Sequence, residues 1–164
     1  MDKSTLEKIE LMHPQLRAKT LEDYKAANNV LGKGVRLRFS HTLRTFEEQN
    51  ALYNKRPKVT SAKGGESYHN YGLAFDIVLL YDKDGDGNFE EASWDRLRDG
   101  DNDGMFDWLE VTKILTSRGW INGFISNGKK WDFPHFQIDF GLHWKELLKR
   151  YNAKDFIEGN YVRI

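Results

Sequence analysis

Apolar residues follow two different periods along this chain, and each period predicts a type of secondary structure. Spacings of three and four residues, which put apolar side chains on one face of a helix, occur in four segments. These segments are residues 16–31, 46–53 and 106–117 and the closing stretch LHWKELLKRY. Ser4 with Glu7 is typical of a capping box and predicts a further short helix, and Thr45 is the predicted N-cap of the helix over residues 46–53.

Strand-like patterns lie between these helices. VRLRF at 35–39 alternates apolar and polar residues, and the short apolar runs FDIVLLY, WINGFI and HFQIDF predict three more strands, with a loop at 127–130 between the last two. Helices and strands are mixed without a regular βαβ repeat, so the predicted fold class is α+β. Because 164 residues suffice for one core and no long linker is visible, we expect a single domain over residues 1–164.

Composition excludes several classes of protein. The 25 basic residues balance the 25 acidic ones, so we expect no nucleic-acid partner held by bulk charge. The chain has no cysteine, which excludes disulfides and thiolate metal sites. No apolar run approaches the ~20 residues of a membrane span, and the N-terminal segment lacks the apolar stretch of a secretory signal peptide. We therefore expect a soluble monomer without a membrane span.

Two separated segments contain the candidate chemistry: SYHNYGLAFD at 67–76 and WDFPHF at 131–136. His69, Asp76 and His135 offer two imidazoles and a carboxylate, which fill three positions of a tetrahedral Zn²⁺ and leave the fourth for water. The same three ligands suit non-haem Fe(II). Asp76 comes seven positions after His69, and this spacing, together with Asp132 as a general base, favours zinc and hydrolysis.

Small residues between the first two ligands have a predicted role of their own. Gly72 and Ala74 are expected to let the backbone fold closely around a metal ion. Taken singly, a histidine is more often an ordinary surface or packing residue than a ligand. His41 has no partner at a ligand spacing, and we expect it at most to line the cleft.

The pattern SxHxxGxAxD followed by a late D/E-x-x-H closely resembles the zinc D-alanyl-D-alanine and L-alanyl-D-glutamate peptidases of bacterial cell walls and phage lysins, peptidase family M15. HTLRTFEEQNALY is similar to a further segment of that family, and SYHNYGLAFDIV with WDFPHFQ is most similar to its L-alanyl-D-glutamate endopeptidase branch. The resemblance covers residues 39–138. It implies a small antiparallel sheet flanked by helices, as in the D-alanyl-D-alanine peptidases and hedgehog domains.

The resemblance also implies a role for each matching residue. His69, Asp76 and His135 would be the zinc ligands, and Asp132 would be the base that deprotonates the attacking water. Arg44 would hold a substrate carboxylate. Gln49 and Ser67 match family positions and would support substrate binding.

The function implied is that of a zinc peptidoglycan hydrolase that cuts the L-alanyl-D-glutamate bond of the stem peptide. We expect a phage or prophage endolysin that accumulates in the cytoplasm and acts on the cell wall after release. One alternative is a D,D-carboxypeptidase or dipeptidase on the same scaffold. Others are a non-catalytic binding module stabilised by metal, and a calcium-binding protein with an incidental His/Asp cluster.

An acidic insertion at about 82–110 contains two copies of the D-x-D-x-D-G opening of a calcium loop, 17 residues apart. The second copy has the whole twelve-residue pattern, with carboxylates at positions 1, 3, 5 and 12: Asp99, Asp101, Asp103 and Glu110. The first copy has Asp82, Asp84 and Asp86, but Ser93 occupies position 12. We expect Ca²⁺ at the second loop and weaker binding, if any, at the first. The alternative is a solvated acidic turn that caps the following helix.

Overall fold

The computed structural model describes residues 1–126 and 129–164. Its helices are α1 Lys3–Ile9, α2 Arg17–Asn29, α3 Phe46–Asn54, α4 Asp107–Ser117 and α5 Trp144–Asn152, with a 3₁₀ helix at Tyr68–Tyr71. Its strands are β1 Val35–His41, β2 Ala74–Tyr81, β3 Glu91–Ser93, β4 Ile121–Ser126, β5 Lys129–Gln137, β6 Phe156–Glu158 and β7 Tyr161–Val162. The predicted α+β fold class is confirmed.

Strand β2 is the centre of a five-stranded antiparallel sheet. Four of the strands lie side by side in the order β1-β2-β5-β4, and the fifth, β3, pairs with β2. One edge of β2 pairs with β1 from Asp76 to Tyr81. The other edge is shared: β5 pairs with residues 74–76, and β3 pairs with residues 79–81. The short strands β6 and β7 form a separate antiparallel pair near the end of the chain.

Side chains along β2 alternate between two surroundings, as the pleat of a strand requires. Phe75, Ile77 and Leu79 belong to the hydrophobic core, which also contains residues of α2 and α4. The ring of Phe75 stacks on that of Phe39 from β1, with 4.0 Å between centroids, and on that of Phe136 from β5. Asp76 lies between Phe75 and Ile77, so its side chain is on the opposite face of the sheet.

Several predicted element boundaries differ from those in the structure. Thr45 caps α3 in a complete capping box with Glu48, as expected for an N-cap. The prediction for Ser4 was wrong, because Asp2 caps α1 and accepts a hydrogen bond from the Thr5 amide. Strands β3, β6 and β7 were not predicted. Of the loop predicted at 127–130, residues 127–128 lie outside the described residues, and Lys129 and Lys130 begin β5.

None of the helices within residues 1–126 and 129–164 has both the length and the apolar character that crossing a bilayer would require.

Candidate metal centre

Two of the predicted ligands are direct neighbours in the sheet, and the third lies one turn before it. Asp76 on β2 is paired with His135 on β5. Their neighbours Phe75 and Phe136 form the adjacent pair and point into the core, so Asp76 and His135 share the opposite face. His69 is in the 3₁₀ helix that precedes β2, where the Ser67 hydroxyl accepts a hydrogen bond from the His69 amide.

Gly72 makes the turn from this 3₁₀ helix into β2. It has a positive φ of 68°, which favours glycine. A Cβ atom at this position would lie 2.7 Å from the backbone nitrogen of His13, whose amide donates a hydrogen bond to the Gly72 carbonyl. Glycine is therefore required here by packing against the segment between α1 and α2. Room around a metal ion, the reason expected from the sequence, does not explain it.

Three ligand atoms converge at the centre of the site. His69 Nε2 lies 3.1 Å from His135 Nδ1 and 3.2 Å from Asp76 Oδ1, and His135 Nδ1 lies 3.3 Å from the same carboxylate oxygen. Ligands bound tetrahedrally at 2.0–2.1 Å from a zinc ion are themselves about 3.3 Å apart. The three distances therefore match the spacing that a tetrahedral ion of this size imposes.

Hydrogen bonds on the far side of each imidazole decide which nitrogen carries the proton. The Thr42 carbonyl can only accept, so His69 Nδ1, 2.7 Å away, donates to it and the neutral ring has its lone pair on Nε2. His135 Nε2 is 2.9 Å from Gln137 Oε1 and donates to it, which leaves the lone pair on Nδ1. The two lone pairs and the Asp76 carboxylate then point at one place. A cation satisfies all three, so these residues fit a metal ion.

The charges of the cluster support one another. Burial alone would raise the pKa of Asp76, but hydrogen bonds to His135 and His69 outweigh it and hold that pKa well below its usual range. Burial opposes a charge on His135, whereas the Asp76 carboxylate and Gln137 raise its pKa above the ordinary value. Asp76 is thus an anion at neutral pH, and the site attracts positive charge.

Asp132 and His135 lie in an irregular part of β5. Between the pairs Asn122–Phe136 and Phe124–Trp131, four residues of β5, 132–135, lie opposite the single residue Gly123 of β4. Asp132 has a φ of 55°, and the Asn122 amide group donates to the carbonyls of both Phe133 and His135. The DFPH segment is therefore a large bulge within a strand.

The Asp132 carboxylate makes no hydrogen bond or ion pair with the rest of the described chain. Asp132 is exposed as a residue, but neighbouring atoms partly withdraw its carboxyl from water, which raises its pKa. The positive potential of His135 acts in the opposite direction, and the negative charge of Asp76 adds to the increase. A carboxylate with these properties is available to accept a proton near His69, Asp76 and His135.

Arg44 lies against the same cluster. Its Nη2 is 3.7 Å from Asp76 Oδ2, and its Nη1 donates to Gln49 Oε1 at 2.9 Å. The Gln49 amide is anchored in turn on the Ala62 carbonyl. Gln49 therefore orients the guanidinium, and Ser67 caps the helix of His69, so the contacts of both residues support the site from within the protein.

Some residues of the site were not assigned from the sequence. Thr42 contributes a backbone carbonyl, which has no residue-type signal. Gln137 and Asn122 contribute side-chain amides, whose role depends on a strand register that the sequence did not reveal. His41, expected at most to line the cleft, pairs with Asp76 across β1 and β2 and has its Nδ1 3.9 Å from Asp76 Oδ2.

Within each acidic loop, the carboxylates that lie close together differ from those that the sequence pattern predicted. In the second loop, two overlapping groups of carboxylates each lie within 4.8 Å: Asp99, Asp101 and Asp107, and Asp101, Asp103 and Glu110. Asp107 was not among the predicted ligands. In the first loop, Asp82 and Asp86 are grouped with Glu90 rather than with Asp84.

Comparisons with known proteins agree with this architecture. A family model described as D-alanyl-D-alanine carboxypeptidase matches residues 60–138. The peptidoglycan L-alanyl-D-glutamate endopeptidase CwlK of Bacillus subtilis strain 168 is 38% identical over 133 residues, which cover 77% of this chain and 73% of that protein. The crystal structure of the L-Ala D-Glu endopeptidase ChiX of Serratia marcescens aligns with a TM-score of 0.53 at 20% identity, covering 85% of this chain and 90% of that one. That similarity supports the fold.

Proposed function

This chain belongs to the M15 family of peptidases, and we propose that it is a zinc-dependent endopeptidase that cleaves the L-alanyl-D-glutamate bond of the peptidoglycan stem peptide. The observation that supports this best is the convergence of His69 Nε2, Asp76 Oδ1 and His135 Nδ1 within 3.1–3.3 Å, beside a free carboxylate. The choice of bond rests on the 38% identity to a relative named for that activity.

Zinc would be held by His69, Asp76 and His135. When bound, it supplies Lewis-acid chemistry, which polarises a carbonyl and makes water a nucleophile at neutral pH. Thr42 and Gln137 hold the two imidazoles in the tautomers that leave the ligand nitrogens free. Second contacts of this kind raise metal affinity by fixing the orientation of the ligands.

Asp132 would perform the proton transfers. Its carboxylate accepts a proton from the attacking water and returns it to the amine of D-glutamate as the peptide bond breaks. The bulge at residues 132–135 places this carboxylate and His135 on one short segment, so their separation is set by local backbone geometry.

Arg44 would bind a carboxylate of the stem peptide. Its guanidinium is a planar donor that suits a carboxylate, and Gln49 already fixes one end of it. The positive charge also lies close to Asp76 Oδ2, so the same residue balances the anionic ligand and recognises an anionic substrate.

Digestion of purified muropeptides tests the bond specificity. Mass spectrometry should find fragments ending in L-alanine and fragments with a new amino group on D-glutamate. Free D-alanine as the only product would contradict the proposal. It would indicate D,D-carboxypeptidase activity, which is the activity named in the description of the matching family model. The role as a phage or prophage endolysin stays a prediction.

Two substitutions separate catalysis from metal binding. Asp132→Ala should keep one zinc per chain and lose about 10²–10⁴-fold in turnover, since it removes only the proton acceptor. His69→Ala should lose both zinc and activity. Zinc content is measured by elemental analysis and turnover with a muropeptide. If Asp132→Ala degrades peptidoglycan as fast as the wild type, Asp132 is not the base; if the wild type binds zinc but releases no product, the chain is a binding module.

A further inference from the structure

The second acidic loop, residues 99–110, lies between the two catalytic segments in the sequence and has no part in the proposed reaction. It connects β3 to α4, and its last four residues form the first turn of α4. The Asp101 carboxylate accepts a hydrogen bond from the Gly32 amide at 2.6 Å, and a Cβ atom on Gly32 would collide with the Asp101 side chain. The loop is thus docked against the segment between α2 and β1.

Five carboxylates converge within this loop. The groups Asp99–Asp101–Asp107 and Asp101–Asp103–Glu110 share one member, and the oxygens of each group lie within 4.8 Å of one another. In a twelve-residue calcium loop that begins at Asp99, these residues occupy positions 1, 3, 5, 9 and 12. Position 9, Asp107, completes the set of side-chain positions that such a loop uses.

Two of these carboxylates are buried, and each has one oxygen without a partner. Asp107 is fully buried; its Oδ2 accepts from the Tyr81 hydroxyl and the Gly100 amide, while Oδ1 has no hydrogen-bond partner in the described chain. Glu110 is 8% exposed, and its Oε2 is likewise without a partner there. A solvated acidic turn would not bury carboxylate oxygens unpaired, because removing them from water is unfavourable unless a cation or a donor replaces the water.

The charges around Glu110 also favour a cation in the loop. Burial, followed by the charges of Asp103, Asp101, Asp107 and Asp99, raises its pKa to about 6. A divalent ion at the centre of the five carboxylates would offset the repulsion among these charges.

We propose that Ca²⁺ binds in the loop between β3 and α4, with Asp99, Asp101, Asp103 and Glu110 as direct ligands, Asp107 at position 9, and the Met105 carbonyl at position 7. All of these donors are oxygens, which favours a hard cation over zinc. Five carboxylates and a main-chain carbonyl suit the six to eight ligands of Ca²⁺ better than the smaller octahedral shell of Mg²⁺. The first loop does not form this site, because Ser93 replaces the glutamate at position 12 and both Asp86 and Glu90 are exposed.

Because of the loop's position, an ion bound in it would affect a groove next to the catalytic residues. Phe106, Trp108 and Leu109, in the second half of the loop, line a groove of about 550 Å³. The same groove is lined by Phe133, within the bulge of Asp132, and by Asn122, which holds that bulge. Calcium binding therefore fixes one wall of a groove that continues to the catalytic segment.

Calorimetric titration tests the site in the full, zinc-loaded chain after calcium has been removed by a resin. We expect one Ca²⁺ per chain, weaker heat with Mg²⁺, and a higher Tm with calcium. Glu110→Gln should weaken Ca²⁺ binding at least tenfold, and without calcium its Tm should equal or exceed that of the wild type, because it removes an unfavourable charge. Asp103→Asn, at an exposed position, should weaken binding similarly and tests the site if Glu110→Gln does not fold.

Asp86→Asn in the first loop is the matched control, and it should bind Ca²⁺ as the wild type does. The proposal is overturned if the wild type gives neither heat nor a change in Tm at millimolar calcium. It is equally overturned if Asp86→Asn loses the binding while Glu110→Gln and Asp103→Asn keep it, since the ion would then be in the first loop.

Discussion

At the scale of single residues, each imidazole of the proposed metal site is held by a partner that sequence patterns do not reveal. The Thr42 carbonyl and the Gln137 side chain each take the proton-bearing nitrogen of one histidine. Both contacts act before any metal binds, because they select the tautomer. Spacing and resemblance were enough to select His69, Asp76 and His135, which the structure brings together. Their hydrogen-bond partners depend on where the chain lies after folding.

Gln137→Ala should lower zinc affinity by about 10–100-fold, because His135 loses the contact that orients its ring. Affinity is measured by competition with a chromophoric chelator, and the zinc-saturated variant should recover most of its turnover. Gln15→Ala, at an exposed position outside the site, is the control for loss of an amide side chain. Unchanged zinc affinity in Gln137→Ala would show that the ring is held by the sheet alone.

At the scale of elements, the irregular pairing of β4 and β5 determines the shape of the site. A regular ladder would alternate the side chains of residues 132–135 between the two faces of the sheet. The bulge instead lets Asp132 take a positive φ while His135 keeps its pairing with Asp76. Gly123 faces this bulge, and a Cβ atom there would collide with the Trp131 carbonyl.

Gly123→Ala should therefore reduce both stability and activity. It combines the strain of a positive φ, about 1–2 kcal/mol, with a backbone collision that must displace the bulge. Gly119→Ala is the matched control: Gly119 also has a positive φ, of 92°, but nothing lies within 4 Å of its Cβ position. We expect Gly119→Ala to lose stability only, measured by urea unfolding, and to keep the turnover of the wild type. Equal turnover in both variants would separate the bulge from catalysis.

Element prediction from sequence succeeded where long segments with strong periodicity were involved. The helix beginning after Thr45 and the apolar strand that contains Asp76 both follow from pattern. Strands of two or three residues, such as β3 and β7, are too short to show a period. The bulge was not predicted, because the register that produces a bulge is decided by both strands together.

At the scale of the whole molecule, the end of the chain is joined to its beginning through a buried histidine. His13 is fully buried; its Nε2 donates to the Val162 carbonyl at 2.8 Å, and its Nδ1 accepts from the Gln15 amide. Tyr161 packs edge-on against the same ring. The neutral imidazole thus satisfies both contacts, and a second proton would break the one with Gln15.

Acid should destabilise the chain through this residue. Burial lowers the pKa of His13 below 6.5, although the hydrogen bond to Val162 partly opposes this. Between the folded-state pKa and 6.5, the unfolded chain binds more protons than the folded one. The stability that neutral His13 contributes is therefore complete above pH 6.5 and is lost as the pH falls towards the folded-state pKa. The free energy of unfolding, measured with urea on metal-free protein, should fall less between pH 7.5 and 5.5 in His13→Gln than in the wild type. Equal pH dependence would exclude His13.

The alternation along β2 has a consequence for protein engineering. Phe75, Ile77 and Leu79 belong to the core, whereas Asp76, on the opposite face, belongs to the site. Neighbouring positions therefore serve different purposes: the core positions serve stability, and Asp76 serves the proposed chemistry. Substitutions at the core positions can be chosen for thermostability while Asp76, the proposed ligand, is left in place. An insertion or deletion of one residue in this strand would exchange the two sets, so folding and chemistry should be lost together. Variant libraries for this segment should therefore vary side chains at constant length.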